Sequence, residues 1–266
     1  MLSQVRQNLS QSVAASIVVL IGILAVGGLQ VPQLDALRNK AQNATPETLQ
    51  REVESERLHL NLLQKTPAFG FDNLLADWVF LNFLQYFGDD PARAVTGYQL
   101  SPDYFEVIVD HDPRFREMYL FLATSGSLYA GMPERSVALM EKGLQSLSPK
   151  VPPKSYYVWR QKAIDELLFL GNAQAARQSF EKAAEWASMS SDEESQNVAA
   201  MSRQTAEFLR RNPNSKFAQV AAWTMVLNNV TDDRTRKIAI SRIEALGGKV
   251  SITPQGVVKI QLPQAD

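Results

Sequence analysis

The apolar positions of the chain follow three patterns. From Val13 to Leu29 they are almost continuous, interrupted only by Ser16, with Gly22, Gly27 and Gly28 inside the run. Extended to Val31, the run approaches the roughly 20 residues that a membrane-spanning helix needs, and Pro32 stops it. The competing reading is a cleavable signal peptide cut near Ala25 or Gly27. Signal sequences carry a shorter apolar region behind a more basic start, and Arg6 is the only basic side chain upstream. The pattern therefore predicts an uncleaved transmembrane anchor over 13–31, behind a polar tail over 1–12 and ahead of a polar tether over 32–44.

The second pattern is Leu74 to Phe87, where only Asp77, Asn82 and Gln85 are clearly polar. A helix apolar around most of its circumference is buried in a core or in a membrane, and this one is too short to span. It is expected to be a core helix wrapped by others, capped by Asp72 or Asn73 and ended by a left-handed Gly88. Asp77 within it must be paired, with Arg114 or Arg116 as candidates, or exposed, because an unpaired buried charge is very costly.

Helical periods fill most of what remains between 45 and 249. Thr45-Pro46 starts a helix to Gln64, and Ser101-Pro102 starts another by the same cap-and-proline logic. Further helices are predicted over 115–130, 133–147, 156–170, 173–187, from the Ser190-Ser191-Asp192 cap to Arg211, and over 215–228 and 232–246. The third pattern, residues 250–262, alternates with period two around Pro254-Gln255-Gly256, which is a β-hairpin signal. A lone hairpin is marginal in water, so it must pack on the helices or on a partner.

The helices repeat. Glu141-Lys142 and Glu181-Lys182 are 40 residues apart, as are Gly131 and Gly171, while Gly88 precedes Gly131 by 43. Such a period in helix pairs means a solenoid, each pair burying its apolar face on the next. Ala176, Phe180 and Ala183 follow Gly171 at the small–aromatic–small positions of a tetratricopeptide repeat, and the unit resembles that family. Ser136, Met140 and Gly143 hold the equivalent sites one unit earlier. The resemblance covers about 74–186. More widely, the apolar run, the Leu-Leu-Ala-Asp-Trp helix and the Asp112-Pro113 unit resemble bacterial membrane-anchored tetratricopeptide-like proteins, with C-terminal wording similar to cyanobacterial members. That likeness implies anchoring and scaffolding at a plasma or thylakoid membrane.

Composition narrows the chemistry. The 27 basic and 28 acidic residues leave a net charge of −1, which favours no nucleic-acid partner. The charge is uneven, with 4 basic and 12 acidic residues over 44–112 and 10 basic and 5 acidic over 203–266. Cysteine is absent, which removes disulfides, thiolate nucleophiles and Cys-ligated zinc. His59 and His111 lack metal-ligand spacing, and no nucleophile elbow, Walker loop or dinucleotide fingerprint occurs. Ser179-x-x-Lys182 has nucleophile–base spacing but falls in the repeat's surface Glu-Lys pattern.

The chain thus reads as an all-α protein without catalytic, metal or cofactor site: one transmembrane helix, an α-solenoid of tetratricopeptide-like hairpins over 45–249, and a β-hairpin and tail over 250–266. The expected role is a membrane-tethered scaffold holding protein partners, with the soluble domain periplasmic or lumenal. Counted back from the turn glycines, its groove would present Trp78, Asn82, Gln85 and Tyr86, then Phe121, Ser125 and Tyr129, then Gln161, Asp165 and Phe169. The rival expectation is an exported helical domain enclosing a small molecule or lipid.

Overall fold

The computed structural model describes residues 19–22, 24, 26–31, 45–229, 233–252 and 258–266. The chain divides into two compact units, Met1–Glu52 and Val53–Asp266. In the first, residues 19–22, 24 and 26–31 are helical, and all but Gly27 are exposed. Among the described residues no helix is long and apolar enough to cross a membrane. Residues 13–18 of the expected anchor, and the tether 32–44, lie outside the described residues.

Helix α1 (Pro46–Lys65) begins at the predicted Thr45 cap, whose hydroxyl accepts the Thr48 N–H. Helix α2 (Asp72–Gly88) follows, then the short α3 (Asp90–Thr96), α4 (Ser101–His111) and α5 (Met118–Leu122). Helix α5 widens into a π-helical stretch, Ala123–Tyr129. Next come α6 (Pro133–Leu144), α7 (Tyr156–Leu168), α8 (Ala173–Ala187), α9 (Glu193–Arg211), α10 (Lys216–Asn229) and α11 (Asp233–Ala245). Strands β1 (Lys249–Ile252) and β2 (Val258–Gln261) pair antiparallel, Val250 opposite Ile260. The hairpin packs on α11 as its marginal stability demands, with Val250 and Ile260 against the cluster around Ile243. Its tip, 253–257, lies outside the described residues.

The 40-residue period has a backbone counterpart. Gly131 and Gly171 take φ of 67° and 63°, the left-handed turn that only glycine adopts cheaply. Ala130 N–H bonds Ser125 O at 2.9 Å, and Leu170 N–H bonds Asp165 O at 3.1 Å. Met132 N–H bonds Gly126 O at 2.9 Å, and Asn172 N–H bonds Glu166 O at 2.8 Å. Every partner in the second pair lies 40 residues after its counterpart. Ala176, Phe180 and Ala183 are fully buried, and α8 packs mainly on α7 and α9. In the earlier unit Ser136 abuts Gly126 and Gly143 abuts Tyr119.

Several expectations are corrected. Helix α2 is not buried all round: Ala76, Val79 and Phe83 are buried, but Leu74 (62 %), Leu81 (57 %), Trp78 (44 %) and Leu84 (38 %) are exposed. Gly88 does not take the left-handed conformation; the glycine that does is Gly97, nine residues on, with φ of 68°. The α2 cap is Phe71, without a side-chain bond, while Asp72 binds His111 Nδ1 at 3.0 Å. Ser101 is buried one residue inside α4 and caps nothing. Of the two alternatives for Asp77 the structure shows the exposed one, with no ion pair among the described residues. Within the acidic stretch, Asp103 and Glu106 bond Arg135, and Asp110 bonds Lys142. The Asp192 cap forms as read, accepting the Ser195 N–H, and Asn172 caps α8 in the same way through the Ala175 N–H.

Candidate functional site

The first helices of the pairs, α2, α5 with its π stretch, and α7, turn one side toward α10. Between them lies a cavity of about 80 Å³, lined by Phe83, Phe87, Phe121, Ser125, Gln161, Asp165 and Phe169, with Met225 and Val226 closing it from α10 and Thr235 from α11. Five of the ten expected groove residues therefore share one wall. Instead of extending the stack outward, α10 folds back onto α7, burying Ala218 and Ala222 in a cluster with Ala163 and Ile164. The concave side read as an open groove is filled by the chain's own C-terminal helices.

The other five expected residues sit elsewhere. Tyr129 hydrogen-bonds Thr235 Oγ1 at 2.8 Å and takes Arg234 over its ring. Trp78 and Gln85 are exposed, Asn82 is half-buried, and the Trp78 ring packs edge-on against His59. The Tyr86 hydroxyl donates to Gly97 O at 3.3 Å and accepts the Leu100 N–H at 3.2 Å, a structural tie. The α2 register is one residue out, because it was counted from Gly88, which is not the turn glycine. One residue is a rotation of about 100°, so Phe83 and Phe87 face the cavity instead of Asn82 and Tyr86.

The π stretch shapes the cavity wall. Thr124 and Ser125 hydroxyls donate to the carbonyls of Leu120 and Phe121 four residues back, competing with the helical ladder. The widened turns place Ser127 against Asp165, which accepts its hydroxyl at Oδ2. Oδ1 of Asp165 has no hydrogen-bond partner and the residue is 1 % exposed. Burial drives its carboxyl well above the usual carboxylate range, against the Ser127 bond, and the Glu166 charge adds to the rise. Nothing in the local pattern announced this, since in sequence Asp165 reads as an ordinary polar position on a helix.

A second polar cluster lies between α7 and α8. Lys162 Nζ is 2.5 Å from Glu166 Oε1 and donates to Ser179 Oγ at 3.2 Å, and Ser179 donates to Glu166 Oε2 at 2.6 Å. Ser179 is 2 % exposed, which corrects its reading as half of a surface pair; Lys182 alone is at the surface, bonded to Glu185. Lysine, serine and carboxylate could in principle form a nucleophilic set. Here the hydroxyl and ammonium satisfy one buried carboxylate and line none of the cavities described. Lys162 also lies 3.2 Å from Glu141 Oε1 of α6, so the cluster ties three helices together.

Apolar side chains of α1 and α2 are also exposed outside the cavity. Leu58 and Leu62 of α1 (both 66 %) adjoin the exposed row of α2 across the His59–Trp78 contact. At the turn between the helices Phe69 is 86 % and Phe71 65 % exposed. Monomeric proteins rarely expose contiguous apolar patches beyond a few hundred Å², and larger ones mark interaction sites. Comparison with family models, with characterised proteins and with solved structures finds no match to the chain.

Proposed function

We propose that the protein is a membrane-tethered helical-repeat adaptor: the apolar stretch 13–31 holds it at a membrane, and its stacked hairpins, of tetratricopeptide type, hold another protein there. The observation that carries this reading is the pair of matched turns at Gly131 and Gly171, with equivalent hydrogen bonds 40 residues apart. Repeated hairpins that contact only their neighbours build extended binding surfaces and need no catalytic centre. The cavity weighs the same way. At about 80 Å³ it holds a few waters, whereas organic ligands occupy pockets of roughly 300–1,000 Å³, so the rival small-molecule carrier would have to use a different conformation or the polar-rimmed cleft of about 700 Å³ between Leu170 and Asn214.

In this reading α10 is a resident of the concave side, and a partner segment reaching Gln161 takes its place. Capture of the full chain from its native membrane in mild detergent tests the proposal. One stoichiometric protein is expected with the wild type and lost with Gln161→Trp, which fills the cavity wall. Retention of lipid alone, or of the same protein by both chains, contradicts it.

A further inference from the structure

We propose that the exposed apolar face of α1 and α2 rests on a lipid bilayer of uncharged or zwitterionic headgroups, with Phe69 and Phe71 entering the acyl boundary. The inference rests on the membrane-tethered reading above and adds the orientation of the repeat domain. The exposed rows of the two helices meet at the His59–Trp78 ring contact. On α2, Leu74, Trp78 and Leu81 recur at spacings of four and three and share a side. On α1, Leu58 and Leu62 flank His59, whose ring lies 5.8 Å from that of Trp78. Between Leu74 and Gln85, Asp77 is the one charged side chain on α2.

The shape selects the occupant. The face ends in a tip, Pro67-Ala68-Phe69-Gly70-Phe71, that carries no charge. Phe69 has φ of 51° and Gly70 of 88°, so an aromatic residue is held in the left-handed region that bulky residues avoid. That conformation leaves both phenylalanines pointing away from the core. A protein partner must offer a cavity matched to such a projection, while a bilayer accepts it anywhere. Aromatic rings are favoured at the membrane–water boundary, and Trp78 stands beside the row of leucines. Lys65 closes α1 next to the tip and can keep its ammonium in the headgroups while its stem follows the apolar surface.

Sequence and charge agree with this placement. Only residues 32–44 separate the apolar stretch from Thr45. Even with Arg135 and Lys142 paired to Asp103, Glu106 and Asp110, the 12 acidic residues of 44–112 outnumber its 4 basic ones and these two, an excess that an anionic surface repels. The occupant is therefore a surface without net charge.

The chain has no cysteine, so single spin labels can be placed in the full protein. Labels at Phe71→Cys and Leu81→Cys report on the face, Arg203→Cys on an exposed helix elsewhere, and Leu20→Cys on the apolar stretch. Reconstituted in phosphatidylcholine vesicles, labels 71 and 81 should lose collisions with a water-soluble nickel chelate several-fold and gain them with oxygen, while label 203 stays unchanged. Equal chelate access at 71, 81 and 203 overturns the proposal. So does dipolar broadening at 71 and 81 that vanishes on dilution with unlabelled chain, which means a second copy covers the face. Protection at 20 combined with exposure at 71 and 81 removes this inference and leaves the tether standing.

Discussion

Gly143 lies directly over the hydroxyl end of Tyr119: a Cβ at 143 would stand 1.7 Å from Tyr119 Oη and 2.6 Å from its Cζ. The ring cannot swing away, because it is 1 % exposed and its hydroxyl donates to Pro113 O at 2.7 Å. Gly143 lies 40 residues before Ala183, which is fully buried. Gly143→Ala should destabilise by about 1–3 kcal/mol through overpacking, read as a lower urea midpoint. Gly126→Ala should cost less, since its Cβ meets the single Oγ of Ser136, which can rotate.

The next repeat supplies the matching test. Ala176 is fully buried at the contact of α7 with α8. Ala176→Leu should likewise cost about 1–3 kcal/mol. An unchanged melting temperature would mean that the two hairpins are not in the same register.

Tyr86 separates folding from partner capture. Its hydroxyl ties Gly97 O and Leu100 N–H, closing the insertion between α2 and α4. Tyr86→Phe removes both bonds and leaves the Leu100 donor without this partner, a loss of about 1 kcal/mol. Stability should fall while partner retention at low temperature stays complete. A loss of partner at unchanged stability would return Tyr86 to the binding surface.

Asp165 gives the pH dependence its sign. Its folded-state pKa is raised by burial above the unfolded value of about 3.9. The native state then binds the extra proton, so this group's contribution is complete below about pH 4 and is lost as pH rises through the folded pKa. Asp165→Asn keeps an acceptor for Ser127 and removes the titration. The variant should gain melting temperature over the wild type at pH 8 and lose that advantage toward pH 4. An advantage independent of pH would show that Asp165 is ionised in the folded protein.

Much of the helical order is legible in the sequence because its signals are local. Asn172 and Asp192 sit where caps are needed, Gly131 and Gly171 where a left-handed residue ends a helix, and Val250 to Leu262 alternate with period two. The misses are the long-range choices. A helix as apolar as α2 carries no moment to say which side stays exposed, and only packing decides that Val79 is buried and Leu81 is not. The return of α10 onto α7 is a contact across more than fifty residues that no local spacing encodes. The Ser127–Asp165 bond starts from a π stretch, and a helix-period pattern does not distinguish π from α turns. Counting back from Gly131 and Gly171 reaches cavity-lining positions at Phe121, Ser125, Gln161, Asp165 and Phe169 but not at Tyr129, and counting back from Gly88, which is not left-handed, reaches none.

The account stands or falls on the membrane. Membranes carrying the protein should be washed with alkaline carbonate, and the retained chain digested and its N-terminal peptides identified by mass. The account predicts that the chain stays with the membrane and that peptides spanning residues 13–31 are recovered from it. A chain released by the wash, or a mature form beginning near Gly28, would contradict it.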